Sequence, residues 1–299
     1  MTDGVLVVDK PAGPTSFEVV RQVRRAFGAE KAGHAGTLDP AATGVLVICL
    51  GEAVKLQQWL TDGDKAYLAT VAFGASTETE DAEGAVVAEG DPAPATEEAV
   101  RAALPGLTGE LDQVPPMYSA VRVGGRRLHE AARAGEEVER EPRRVRVYAL
   151  DLIDIGPPAG GRVLARLAVR CGKGTYVRTL AAELGRRLGV PAHLAALRRT
   201  EASGFDLSRA LPLDQVVALG KADPAALRAR LVSPADALGL LPAVQVDELE
   251  ARDLFHGRFL RRPVAEGRFL RAIDPRGRLV AVLQPAEGGA RPVRVFHSG

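Results

Sequence analysis

The chain is poor in cysteine and lysine and has no long apolar run, and each shortage closes off a class of protein. Two cysteines in 299 residues, Cys49 and Cys171, are too few for a disulfide framework. Both lie in apolar or motif surroundings and are expected to be reduced thiols of a cytoplasmic protein. The five histidines, His34, His129, His193, His256 and His297, are scattered, so no Cys/His cluster has the spacing of a metal site. A nucleotide motif is also absent, and no cofactor is expected. No apolar stretch approaches the roughly 20 residues that cross a bilayer. Met1-Thr2-Asp3-Gly4 lacks the basic start and apolar core of a signal peptide, so no membrane partner is expected. Lysine is outnumbered by arginine 33 to 6. Of the six, Lys10, Lys31, Lys55, Lys65 and Lys173 fall in or beside the motifs below, where a compact, flexible ammonium can be required.

What is present is an ordinary globular composition, long enough for one large domain or a large and a small one. The net charge of +1 conceals an uneven distribution. Gly74–Asp112 carries ten acids and one base, Arg101. Gln113–Arg199 carries seventeen bases and eight acids, and the carboxyl end from Ala243 has ten against seven. A basic surface of this kind suits phosphate groups, although a mixed solvated surface would carry similar charges.

Apolar patterning places the elements. Gly4–Lys10 is expected as a strand, followed by the turn Pro11-Ala12-Gly13-Pro14 and a helix Phe17–Phe27 capped by Thr15 or Ser16. Val45–Leu50 is a buried strand, Ala53–Leu60 a helix, and Lys65–Phe73 a strand with Tyr67, Ala69, Val71 and Phe73 on one face. Thr96 caps a helix to Leu104. Strands Val145–Ile155 and Gly161–Arg170 precede a helix Thr179–Leu188 that Gly189 ends. Loose helical structure runs from Leu213 to Leu238. After Leu240-Leu241-Pro242 come a short helix, Asp247–His256, and several short strands. Strands and helices without strict alternation argue for an α+β fold around a mixed, largely antiparallel sheet.

The most informative stretch is Gly33-His34-Ala35-Gly36-Thr37-Leu38-Asp39-Pro40-Ala41-Ala42-Thr43-Gly44-Val45-Leu46. Glycine and proline punctuate it too often for a plain helix or strand, so a shaped loop is expected to hold Asp39. A carboxylate held there is either a catalytic group or a turn residue capping its own backbone, and turn chemistry alone does not decide between them. Three further segments carry chemistry-bearing residues: Asp64-Lys65-Ala66-Tyr67, Pro115-Pro116-Met117-Tyr118-Ser119-Ala120-Val121-Arg122, and Cys171-Gly172-Lys173-Gly174-Thr175-Tyr176-Val177-Arg178-Thr179-Leu180. Taken singly, Tyr67 could be a packed strand tyrosine and Arg178 an ordinary ion-pair partner.

Together these segments resemble the TruB family of tRNA pseudouridine synthases. The first matches the family pattern G-H-x-G-x-L-D-P-x-A-x-G-x-L at every fixed position. Lys10-Pro11-Ala12-Gly13-Pro14-Thr15-Ser16 resembles K-P-x-G-x-T/S-S, and the other three resemble D-K-x-Y, P-P-x-Y-S-A-x-K and C-x-K-G-T-Y-I-R-T-L. Leu197-Arg198-Arg199 matches L-R-R. The resemblance implies a pseudouridine synthase catalytic domain over residues 1–240, with a basic RNA-clasping insertion at about 124–146. It also implies a small β-rich, PUA-like RNA-binding domain over 243–299. It implies isomerisation of the T-loop uridine of tRNA, conventionally position 55, after the base is flipped out, with the T-arm stem-loop as partner and a monomeric enzyme. Asp39 would act at the ribose, Tyr67 would stack on the base, and Arg178 would be the counter-charge of Asp39. His34, Tyr176, Leu197, Lys10 and Arg198 would complete the substrate site. Arg122 replaces the family's lysine, and His129 stands where the family often has tyrosine. Two other readings compete: a tRNA-binding protein or chaperone without catalysis, and an RNA-guided synthase acting on ribosomal RNA.

Overall fold

The computed structural model of the chain describes residues 3–119, 122–123, 126–128, 132, 136 and 138–296. His129 and most of the basic segment 124–146 up to residue 137 lie outside the described residues. The chain divides into two compact units: Met1–Pro40 with Val45–Thr61 and Gly204–Gly299, and Ala41–Gly44 with Asp62–Ser203.

In the first unit, β1 (Gly4–Lys10) is an almost wholly buried apolar run that Pro11 terminates. It pairs in parallel with Leu211–Pro212 and neighbours β3 (Thr43–Leu50). Helix α1 (Ser16–Phe27) starts at a capping box, in which the Thr15 hydroxyl accepts from the Glu18 amide and the Glu18 carboxylate accepts from the Thr15 amide. Val19, Val20, Val23 and Phe27 form its buried stripe, and Gly28 closes it in the left-handed region.

The expectation of a loop throughout 33–46 is corrected here. Ala32–Ala35 forms β2, antiparallel to β3, with His34 opposite Ile48. Glycine at 33 permits this pairing, because a Cβ there would lie 2.4 Å from the Gln57 side-chain nitrogen. The irregular part narrows to residues 36–42. The helix expected over Ala53–Leu60 is a 3-10 turn, Gly51–Leu56, running into α2 (Gln57–Asp62). The loose helical region resolves into Leu213–Ala222, Pro224–Arg228 and Pro234–Ala237. The carboxyl end is a four-stranded sheet in the order Ala243–Gln245, Leu270–Ile273, Leu279–Ala286, Gly289–Val295. Its own core includes Val244, Leu254, Leu270, Ala281 and Leu283.

The second unit is built on β4 (Lys65–Phe73), whose bounds match the expectation. The hairpin β5 (Ala75–Thr77) and β6 (Val86–Glu89) follows, then α3 (Glu97–Ala103), capped by Thr96. Next are β7 (Gly109–Gln113) and the short pair β8 (Arg122–Val123) and β9 (Arg126–Arg127). After them come β10 (Arg143–Ile155), β11 (Val163–Cys171), the helix Val177–Leu188 and β12 (Ala192–Ala202). The sheet order is β12-β4-β11-β10-β7, antiparallel throughout. Leu180, Ala181 and Leu184 of the helix pack with Val71, Val147 and Leu167 of the sheet in one core. Each fully buried Leu or Val contributes about 1.5–3 kcal/mol. The α+β expectation, with a mixed and largely antiparallel sheet and a small β-rich carboxyl end, holds.

Strand β12 was not legible as a strand. Its sequence, Ala-His-Leu-Ala-Ala-Leu-Arg-Arg-Thr-Glu-Ala, is rich in helix formers. It becomes a strand because it pairs along β4 and, at Arg198 and Arg199, with Thr43 and Gly44.

Candidate active site

In the first unit the Asp39 loop is fastened on both sides of the aspartate. Ahead of it, the buried Ser16 hydroxyl donates to the Leu38 carbonyl at 2.8 Å and accepts from the Leu38 amide at 2.9 Å. Behind it, the Pro40 carbonyl accepts from the Lys10 ammonium at 2.9 Å and from the Gly13 amide at 2.9 Å. Lys10 is fully buried and also donates to the Pro11 carbonyl. The Lys10–Ser16 motif therefore acts as a clamp: β1 ends, the chain turns, α1 begins, and this turn grips the neighbours of Asp39. Burial of an ammonium is tolerated because backbone carbonyls accept its protons. Asp39 itself is half-buried. His34 enters through β2, its carbonyl held by the Gln57 amide at 2.8 Å.

In the second unit the ladder sets the remaining side chains. Tyr67 on β4 lies between Val169 of β11 and Arg199 of β12. Leu197 is opposite Ala69, two residues along. Because side chains alternate across a strand, Tyr67, Leu197 and Arg199 share one face, and Tyr67 and Leu197 pack on the core. Arg198 is on the other face, opposite Leu68, with a contact at 3.4 Å to the Thr43 hydroxyl. Arg199, opposite Tyr67 on the ladder, is almost fully buried. Gly44 explains the close approach of this strand: its φ is +102° and a Cβ would lie 2.1 Å from the Arg199 carbonyl oxygen.

Tyr176 and Arg178 sit at the start of the helix Val177–Leu188. The Gln113 side chain brackets Tyr176, accepting from its amide at 2.7 Å and donating to its carbonyl at 3.0 Å. Arg178 is buried, and its guanidinium donates to the Thr79 carbonyl (3.1 Å), the Tyr118 carbonyl (2.9 Å) and the Asp81 carboxylate (3.2 Å). Asp81, which lies in the acidic stretch Gly74–Asp112 and was not singled out from the sequence, is the carboxylate paired with Arg178. Its other oxygen accepts from the Thr79 hydroxyl and the Glu83 amide. Between them Glu80 adopts φ +62°, uncommon for a non-glycine residue, and its carboxylate accepts from Thr179 at 2.8 Å. Burial pushes the Glu80 carboxyl up. Lys65, on the same strand as Tyr67, donates to the Gly63 carbonyl, and its pKa is pushed down to about 8 by burial and by neighbouring Arg199.

A clamped aspartate in the first unit, and a half-buried tyrosine and a buried arginine in the second, are the groups that the resemblance to pseudouridine synthases implied. Comparison with known proteins agrees. The model of the "TruB family pseudouridylate synthase (N terminal domain)" matches residues 24–177. Those of the "tRNA pseudouridylate synthase B C-terminal domain" and "tRNA Pseudouridine synthase II, C terminal" match 178–238 and 241–297. The tRNA pseudouridine synthase B of Symbiobacterium thermophilum is 50% identical over 85% of this chain and 82% of its own length. That of Geobacillus kaustophilus is 45% identical over 87% and 92%. A solved chain from a Cbf5-Nop10-Gar1 complex superposes with TM-score 0.74 at 26% identity, covering 99% of this chain and 85% of its own. The chain belongs to the TruB family of pseudouridylate synthases. A binding protein without catalysis is thereby set aside.

Proposed function

We propose that the protein converts the T-loop uridine of tRNA, position 55, to pseudouridine, with Asp39 acting at the ribose of a flipped-out nucleotide. Relatives at 45–50% identity are named tRNA pseudouridine synthase B, whereas the solved Cbf5 chain is 26% identical. The relatives' name favours tRNA over RNA-guided action on ribosomal RNA. The observation that carries the catalytic assignment is the clamp. Hydrogen bonds to Leu38 and Pro40 fix the residues on each side of Asp39 and so set the path of the backbone that carries its carboxylate.

In the reaction the bond from C1′ to N1 breaks, the uracil turns, and C5 bonds to C1′. The C5 proton is lost and N1 gains one, so no redox partner or hydrolytic water is consumed. Asp39 acts as nucleophile at C1′ or as base at C2′. Tyr67 supplies the aromatic face on which an unstacked base rests, a contact worth about 1–3 kcal/mol. Arg178, to which the resemblance gives the part of counter-charge, is held in orientation by Asp81. His34, Lys10, Tyr176, Leu197 and Arg198 complete the substrate site, and the carboxyl-terminal module 243–299 adds RNA contacts beyond the catalytic domain 1–240. Asp39→Asn is expected to abolish pseudouridine formation in an unmodified tRNA transcript while leaving the Kd for that transcript unchanged. Full turnover by this variant would refute the assignment.

A further inference from the structure

Helix α1 carries a solvent-facing stripe that the site above does not use. Phe17, Arg21 and Arg24 recur at i, i+4 and i+7, so they line one exposed face beside the buried stripe of Val19, Val20, Val23 and Phe27. Phe17 is 71% exposed, against 44% for Phe255 and 43% for Tyr148, the next most exposed aromatic side chains among the described residues. Arg21 and Arg24 are exposed, and among the described residues neither is in an ion pair.

A single exposed phenylalanine is ordinary. Its place is what matters. Phe17 directly follows Ser16, whose hydroxyl holds both polar groups of the Leu38 backbone, and Leu38 directly precedes Asp39. The first turn of α1 is thus bonded to the Asp39 loop, and Phe17 is the exposed ring next to that joint. Flipping a uridine out of a loop unstacks its neighbours, and an unstacked base gains from an aromatic face. Arg21 and Arg24 lie in line behind the ring and offer positive charge to a phosphate backbone leaving it, Arg21 also acting on the Glu18 carboxylate.

We propose that this stripe is an RNA-binding subsite, in which Phe17 stacks on a single-stranded loop nucleotide next to the target uridine and Arg21 and Arg24 hold the phosphates that follow. The proposal rests on the functional reading above, with RNA as substrate. Phe17→Ala should lower kcat/KM on an unmodified T-arm stem-loop about 5- to 100-fold, the range of one base–aromatic stack. Phe17→Tyr should restore it to within about twofold. The double variant R21A/R24A should flatten the slope of log Kd against log salt by about 1.4, roughly 0.7 for each single-strand phosphate contact. A p-benzoylphenylalanine at position 17 should cross-link to loop nucleotides flanking the uridine, which reports placement even if Phe17→Ala folds poorly. Active wild-type protein together with a fully active Phe17→Ala, an unchanged salt slope, or a position-17 probe that labels no loop nucleotide overturns the subsite alone. Wild-type protein that forms no pseudouridine in this RNA overturns the functional reading, and the subsite with it.

Discussion

Ser16→Ala tests whether the clamp, rather than the aspartate alone, makes the loop catalytic. The serine hydroxyl is buried and makes two hydrogen bonds, one to each polar group of Leu38. Removing it leaves the Leu38 amide and carbonyl unsatisfied, at about 1–3 kcal/mol apiece if nothing moves. A rigid loop would therefore lose about 2–6 kcal/mol. Backbone on a glycine-rich loop does move, and water can reach it, so we expect a measured loss of about 2 kcal/mol in urea denaturation, with an unchanged m value. The relaxation that recovers the rest shifts Leu38 and, with it, Asp39. A displacement near 1 Å can cost about 100-fold in rate. Single-turnover pseudouridine formation should thus fall about 10- to 100-fold, with little change in RNA affinity. A variant with wild-type rate and wild-type denaturation midpoint would show that Ser16 does not position the loop. A variant that loses stability but keeps its rate would show that the clamp serves folding only.

Two further outcomes follow from the same structure. Asp81→Asn keeps the side chain's shape but removes the negative charge beside buried Arg178. Turnover should fall at least tenfold, and stability by about 2–3 kcal/mol, less than when a buried pair loses one partner outright, because two carbonyls still hold the guanidinium. Wild-type turnover in this variant would remove Asp81 from the site. Lys65 has a folded pKa near 8, below its ordinary 10.5, so the unfolded chain binds its proton more tightly. Between about pH 8 and 10.5 the unfolded state holds more protons, and Lys65 makes stability rise with pH through that window. Lys65→Met should lack this rise, so its melting temperature relative to wild type should decline from pH 8 to pH 10. A constant difference would show that Lys65 is not desolvated.

Much of this molecule was legible in the chain. Local signals with a physical cause were read correctly: β1 from its apolar run, β4 from its alternation, α1 and α3 from Thr15 and Thr96 caps, and the helix end at Gly189. These depend on neighbours a few residues apart, so sequence suffices. Segments whose conformation is imposed from a distance were misjudged. Strand β12 consists of helix formers held extended by β4, and β2 exists because β3 pairs with it and Gly33 makes room for Gln57.

The site divides in the same way. The sequence by itself supplied the candidate groups, Asp39, Tyr67 and Arg178, because each falls in a segment that resembles a TruB motif. It also determined the family. Only the tertiary structure decided what holds those groups. It showed that Lys10 and Ser16 grip the flanks of Asp39, that Asp81 faces Arg178, and that Leu197 and Arg198 point to opposite faces of one strand. Partners 22 to 97 residues apart in the chain make these contacts, and one-residue register decides the face, so no local rule could supply them.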